Sequence, residues 1–493
     1  MGIIVDQSVK GTIYTYIGVV LGFATTILFS RILSPDQVGL TKILIAYSSL
    51  IAQFGTLGIN GVTIRLFPYF RNNEEKHHGF LALALMAGIV GFIISTALLI
   101  LFKPWLIDIS LEKSSMFIEY INWLIVIVFF QIFFTIFDGY YTALFNSVYG
   151  TFLKDVFQRV LIIVVIGLYF FDILNFHQFV IYYIAGLSLP TLFILFTLIR
   201  EKHFSLRTDF KFLKKQLLVS IGLMAGFSIF NGFSLQAIQN VDVLMITSMT
   251  GLKATGIYGI CFTFGLLVSM PARAIYKIAN IVSAQAWKND DIKTIRDVYY
   301  KSCLTLFIIG LLLFLGIWAN IDNIFQIIGP AYISGKWVIF FIGLGSLIDL
   351  TTGANSSILG TSKYYKVQTL FLVGLVFLIV IANFLLIPRY GINGAAVGSA
   401  ISLTILNIAR FLFLYYKFNL QPFNIRFLYI ALIAGISYFL STLLPPLPNF
   451  ILDIIVRSSI LTILFCTPIY FLKISEDINV KADEYLRMLK LKK

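Results

Sequence analysis

Charge is scarce in this sequence: Asp, Glu, Lys and Arg together make up 12% of its 493 residues. An ordinary soluble domain carries about twice that share, roughly 25%. A surface this poor in charge cannot be hydrated, which excludes a soluble enzyme. Cysteine is nearly absent as well. Cys261, Cys303 and Cys466 all sit in or beside apolar runs, with no paired spacing for a disulfide or a metal site, and read as inert buried thiols. The four histidines, His77, His78, His177 and His203, form no ligand spacing, so neither a metal nor a cofactor is expected. No phosphate-binding loop is present, and no long loop gathers an acid, a base and a nucleophile.

What the chain does have is apolar length: 59% of its residues are hydrophobic. Runs of 20 residues or more recur from end to end, each long enough to cross about 30 Å of hydrocarbon as a helix. The first run begins near residue 10, lacks a small-residue cleavage site behind it and reads as a retained span. The spacing of runs and breaks predicts an all-α polytopic membrane protein with about 14 transmembrane helices. Six lie near 11–33, 40–64, 79–102, 116–140, 151–171 and 176–199. After the connector REKHFSLRTDFKFLKK come two long segments, 217–250 and 254–287, then 298–319, 337–360, 367–387 and 392–416. A last pair runs 427–444 and 450–472. The expected organisation is an N-terminal six-helix lobe (1–200), a basic connector (201–216), a C-terminal six-helix lobe (217–417), an additional helix pair (418–473) and a basic tail (474–493).

Lys and Arg give an independent test, because they collect in cytoplasmic loops. With the N-terminus inside, about 29 of the 37 fall on the cytoplasmic side. Both termini are then expected in the cytoplasm, and the net charge of +14 is largely topological, with no call for nucleic acid. In the tail, Ile478, Ala482, Tyr485 and Leu489 share a helical face, which suits either anionic lipid or a solvated tail helix.

The two six-span blocks look like weak repeats. Spans 1 and 7 end in LSPDQVGL and TGLKATGIYG, while spans 4 and 10 lead into GYYTALFNSVYGTF and GANSSILGTSKYYK, aligning Gly139 with Gly353. Polar residues follow the same plan. Span 2 carries Ser49, Gln53, Thr56 and Asn60, and span 4 carries Gln131, Thr135, Asp138, Thr142 and Asn146. Span 8 carries Arg273, Lys277 and Asn280, and span 10 carries Asp349, Thr352 and Ser356, all at the spacing of one helix face. A charge at mid-membrane costs about 2.5–3.5 kcal/mol, so such faces are expected to meet each other or water. A hydrophilic cavity between two lobes is the reading that explains four such stripes together; any one residue alone is equally at home bonded to a helix carbonyl. Arg273, Lys277, Asn280, Gln53, Asn60, Arg65 and Asn355 are the candidate substrate contacts. Asp242, Asp349 and Asp138 are the candidates for ion coupling. The pairs Gly18/Gly22, Gly222/Gly226 and Gly394/Gly398 read as close helix packing.

Four segments carry a family likeness: FSRILSPDQVGLTKI, GTLGINGVTIRLFPYF, NVDVLMITSMTGLKATGIYG and NFLLIPRYGINGAAVGSAIS. In this order the chain resembles the multidrug, oligosaccharidyl-lipid and polysaccharide exporter superfamily (MOP), and within it the Wzx-type polysaccharide and O-antigen flippases. The resemblance implies a flippase of the bacterial cytoplasmic membrane moving undecaprenyl-diphosphate-linked glycan by alternating access. Its partners would be the lipid-linked oligosaccharide, membrane lipids, and a polysaccharide polymerase and glycosyltransferases. The MATE drug exporters are the alternative, although twelve spans are typical there and the last helix pair is extra. A membrane polymerase or ligase is the third reading, disfavoured by the short external loops 103–115 and 320–336.

Overall fold

Lipid offers no partner for a free backbone N–H or C=O, so a chain this apolar has to close its hydrogen bonds within helices. The computed structural model describes residues 2–72, 74–110, 114–207 and 212–488, and among them it is all helix and turn, with no strand. Among the described residues, twelve helices are long and apolar enough to span a bilayer. Two further crossings complete the expected pattern. The helical run 148–170 divides into Val148–Thr151, a wide π-helical turn at Phe152–Phe157 and Gln158–Phe170. The 54-residue stretch Tyr365–Phe418 is continuous in hydrogen bonding yet reverses at Gly391.

That reversal shows how one residue makes two spans out of one run. Gly391 has φ 57° and ψ −136°, a combination that a side chain forbids. Beyond it Gly394 lies against the backbone of Leu386 and Ile387, and Gly398 against Ala382 and Asn383. In a straight helix residues 383 and 398 would be about 22 Å apart. The small-residue pair Gly394/Gly398 is therefore the packing seam between spans 11 and 12. Gly18/Gly22 is a seam too, against Asp155 and Arg159. Gly222/Gly226 is not: among the described residues no atom lies within 4 Å of where a side chain would begin at either, so the close-packing expectation fails there.

The chain forms two compact units, Met1–Gly256 and Ile257–Lys493. In the first, span 2 packs against spans 4 and 7, span 4 against span 6, and span 1 against span 5. Span 7 (Lys215–Thr250) is one unbroken helix of 36 residues. The unit's core includes Val62, Phe67, Phe70, Phe80, Ile132 and Tyr140, all nearly inaccessible. In the second unit, span 10 packs on spans 9 and 12, and spans 13 and 14 pack on span 9, around Tyr299, Leu306, Leu350, Ile358 and Phe465. Outward faces stay apolar and bare, as at Leu101, Leu223, Phe384 and Phe439. Lipid covers such faces, so cohesion between helices comes from close packing and hydrogen bonds.

Spans 13 (Ile425–Thr442) and 14 (Phe450–Phe471) are clamped at one end by a buried ion pair. Arg457 binds both carboxylate oxygens of Asp453 at 3.2 Å and donates to the carbonyl of Ser441 at 3.0 Å, while Asn323 donates to Asp453 at 2.5 Å. At the other end the tail helix Glu476–Met488 docks on span 14, with Asn479 donating to the carbonyl of Tyr470 at 2.7 Å. Ile478 packs into the unit's core. Leu489 and the side chain of Tyr485 lie outside the described residues, so the four-residue face read from sequence is described only at Ile478 and Ala482.

Candidate substrate site

Three spans that read as continuous apolar runs are interrupted, and the interruptions lie among the polar residues. Span 2 stops at Gly55 and resumes at Ile59; Leu57 and Gly58 have φ 47° and 70° between them. Span 8, expected as one long helix 254–287, ends its first part at Leu266, tightens into a 3-10 turn and restarts at Ala272 behind Pro271. Pro271 removes an N–H and suits the start of a helix, which is why the break falls there. Span 10 stops at Thr351 and resumes at Asn355 through Gly353, φ 57°. Gly353 sits against the backbone N of Cys303, and Ser302 accepts a hydrogen bond from the N–H of Ala354 at 3.0 Å. The presumed match of Gly139 to Gly353 fails at this level: Gly139 is inside the helix Trp123–Ala143, and the turn after span 4 comes at Phe145, φ 70°. A backbone break exposes donors and acceptors that membrane depth allows only where protein or water meets them.

Helix 272–288 is strongly two-faced. Ala272, Ala279, Ser283 and Ala286 are buried, Ile275, Tyr276 and Trp287 pack on the core of the second unit, and Trp287 donates to the carbonyl of Ile358 at 2.9 Å. Arg273, Lys277 and Asn280 lie on the exposed side. The helix is therefore fixed by one face and offers a guanidinium, an ammonium and an amide on the other.

Beneath that helix lies a buried polar network. Tyr276 hydrogen-bonds to Asp349. Asn407 donates to Asp349 at 3.0 Å, and its carbonyl accepts from Thr352 at 3.0 Å and from Asn355 at 3.1 Å. Arg410, only 5% accessible, lies within electrostatic reach of Asp349 and Tyr276 and donates to Gln368 at 3.1 Å. One acid is thus met by a phenol, an amide and a guanidinium from spans 8 and 12. Asn355, expected as a substrate contact, faces Asn407 with 1% of its surface accessible. Asn407 and Arg410 were missed in the sequence, where two strongly polar residues three positions apart in ISLTILNIARFLF were the available signal.

In the first unit the candidates divide. Gln53 lies against Gly232 of span 7, and Arg65 reaches Met224 of the same helix at 3.6 Å, so these two meet span 7. Asn60 approaches Gly139 and keeps its side-chain oxygen buried without a hydrogen bond. Asp138 is half-buried against Gly150 and attracts Lys154 of span 5. Asp242 is 3% accessible in span 7. Thr56 and Thr135 turn back to the carbonyls of Gln53 and Gln131, the ordinary use of a hydroxyl within a membrane helix. Among the described residues no cluster of His, Cys, Asp or Glu could hold a metal.

The polysaccharide biosynthesis protein family matches residues 8–279 of this chain. An uncharacterized membrane protein of Methanocaldococcus jannaschii, MJ1068, is 20% identical over 485 residues, covering 94% of each chain. Among solved structures, the lipid II flippase MurJ in an inward closed conformation is similar with a TM-score of 0.76 at 16% identity, over 95% of this chain and all of that one. An inward-facing multidrug resistance transporter of the MATE family follows with a TM-score of 0.63 at 14% identity, over 84% of this chain and 98% of that one. A MOP superfamily transporter from Pyrococcus furiosus has a TM-score of 0.56 at 14% identity, over 85% and 95%. At these identities the likeness is one of fold.

Proposed function

Because the chain belongs to the polysaccharide biosynthesis protein family, we propose that this multi-pass membrane protein is a flippase. Its cargo is an undecaprenyl-diphosphate-linked oligosaccharide, moved to the outer leaflet of the cytoplasmic membrane during assembly of a surface polysaccharide such as O-antigen, capsule or exopolysaccharide. The observation that carries this reading is the exposed face of helix 272–288. Arg273, Lys277 and Asn280 stand together there, in a chain whose charge is otherwise mostly in loops. Guanidinium and ammonium groups bind phosphate oxygens with charge-assisted hydrogen bonds, and the amide suits sugar hydroxyls. The bare apolar outer surface leaves the polyprenyl chain in lipid. Transport proceeds by alternating access, and glycosyltransferases supply the substrate that a polymerase consumes.

Depletion of the protein tests this in cells. The lipid-linked oligosaccharide is expected to accumulate while surface polysaccharide is lost; loss of drug resistance with normal polysaccharide would instead support a MATE-like exporter. That second reading is favoured by one observation, an acid within a bonded network at Asp349. Asp349, Asp138 and Asp242 are the residues through which a proton or sodium ion would be coupled. The flippase reading is supported further by the greater share of the chain that resembles MurJ, 95% against 84% for the MATE transporter.

Both termini lie in the cytoplasm in this scheme, a placement that the loop distribution of Lys and Arg supports. Ser205 and Asn320 lie between spans on opposite sides in this scheme, but both are buried, at 9% and 5% accessible. A thiol reagent needs an open site, so Leu206, 66% accessible, and the exposed Ser334 serve better. In a cysteine-free protein in intact cells, an impermeant maleimide is expected to label Ser334→Cys and not Leu206→Cys. The reverse pattern would invert the orientation.

A further inference from the structure

A groove of about 970 Å³ opens in the second unit on the side of helix 272–288 turned away from Arg273. Ile275, Ile278 and Val282 of that helix form one wall, and Ile309 and Leu312 of span 9 (Ile292–Ala319) form another. Cys466 of span 14 and Ile478 of the tail helix complete the apolar part. One end is charged instead. Asp297 and Lys301 of span 9 meet Asp477, Lys481 and Glu484 of the tail helix there. Lys301 and Asp477 stand 3.7 Å apart, too far for a full hydrogen bond. Among the described residues Asp297, Lys481 and Glu484 form no ion pair, and all three are exposed.

We propose that this groove holds a resident phospholipid whose headgroup is a zwitterion with a primary amine, phosphatidylethanolamine in chemical class. Its dimensions suit one leaflet: Lys301 and Leu312 lie about 16 Å apart along span 9, and half of a hydrocarbon core of about 30 Å is about 15 Å. The charged end then sits at headgroup depth and the isoleucines alongside an acyl chain. Charge chooses the headgroup. Two lysines among three carboxylates leave the rim with one negative charge in excess, so a lipid of net negative charge is repelled. A zwitterion satisfies both signs, its phosphate accepting from Lys301 and Lys481 and its ammonium donating to Asp297 and Glu484. A trimethylated amine has no N–H to give. The bound lipid joins the tail helix to helix 272–288 and backs the helix that presents Arg273 on its opposite face. The site stands whichever cargo the protein moves.

The test uses the full-length protein purified in detergent, its thermal unfolding titrated with phosphatidylethanolamine, phosphatidylcholine, phosphatidylglycerol or undecaprenyl phosphate. Phosphatidylethanolamine is expected to raise the unfolding temperature in a concentration-dependent way, and the other three to do so less. Ile278→Trp and Ile309→Trp, which fill the apolar part and leave every charge in place, should each weaken that response about tenfold or more. Ile278 is 64% accessible, so its replacement leaves the fold intact. The double variant Asp297→Asn, Glu484→Gln turns the excess at the rim from one negative to one positive charge and should reverse the preference towards phosphatidylglycerol. Arg273→Gln should leave the response as it is, which separates this site from the cargo contact. Equal responses to the three phospholipids, an unweakened response in both tryptophan variants, or a stronger, Ile309-dependent response to undecaprenyl phosphate would overturn the proposal.

Discussion

Surface polysaccharide falls at least about tenfold in cells whose only copy carries Arg273→Gln, with the protein at normal levels in the membrane. The size follows from what one charge-assisted hydrogen bond to phosphate contributes, about 1.5–3 kcal/mol, against about 1.4 kcal/mol per factor of ten. Two features make this residue the sensitive one. Helix 272–288 is anchored through its opposite face by Tyr276 and Trp287, so the guanidinium is presented from a fixed support. Arg273 also opens that helix directly behind the break at Pro271. Arg273→Lys should retain part of the activity, since an ammonium keeps the charge and loses the two-pronged geometry. Arg273→Glu should abolish export, because a carboxylate repels phosphate at contact distance. An arginine that merely reaches up to lipid phosphates would tolerate glutamine. Normal export by a well-expressed Arg273→Glu protein would remove the residue from the substrate path.

The second large effect is on stability. Arg410→Met is expected to destabilise the second unit by about 1.5–3 kcal/mol, the scale of a charge-assisted hydrogen bond, here the one from the buried guanidinium to Gln368. Its guanidinium lies within electrostatic reach of Asp349, and without it the half-buried carboxylate is left with Tyr276 and Asn407. The double variant Arg410→Met, Asp349→Asn should regain part of the loss, because the half-buried carboxylate is then no longer left without its cation. Thermal unfolding of the purified proteins gives both numbers. Additive losses in the double variant would mean that the two side chains do not act on one another.

Much of this could be read from the amino-acid order, for reasons specific to membranes. Every helix expected to span is present among the described residues, because a hydrocarbon layer imposes length and apolarity on each span. The reversal at Gly391 was visible in PRYGING, where proline, charge and glycine meet between two apolar runs. The breaks inside spans 2, 8 and 10 were not visible. Hydropathy passes straight through GTLGIN and LLVSMPAR, since interrupting a helix requires only a glycine, a proline or a positive φ and no polar composition. Partnership was the least legible property. Gln53 and Asn60 share a stripe in sequence, yet Gln53 meets span 7 while Asn60 approaches span 4. Asn407, Arg410 and Lys154 lay outside the repeating stripes and drew no attention, although each is a strongly polar residue within an apolar run. Helix spacing says which residues share a face; only packing says what that face meets.

The central claim is that a lipid-linked oligosaccharide crosses the membrane through this protein. Its most direct measurement uses proteoliposomes holding the purified protein and a fluorescent undecaprenyl-diphosphate-linked oligosaccharide, with a glycan-modifying enzyme outside to report the outward-facing fraction. Wild-type protein is expected to bring the protected half of the substrate within reach of the enzyme, and Arg273→Glu protein to leave it protected. Protection unchanged by the wild type, in vesicles where the same protein accumulates a cationic dye against a sodium or proton gradient, would contradict the account.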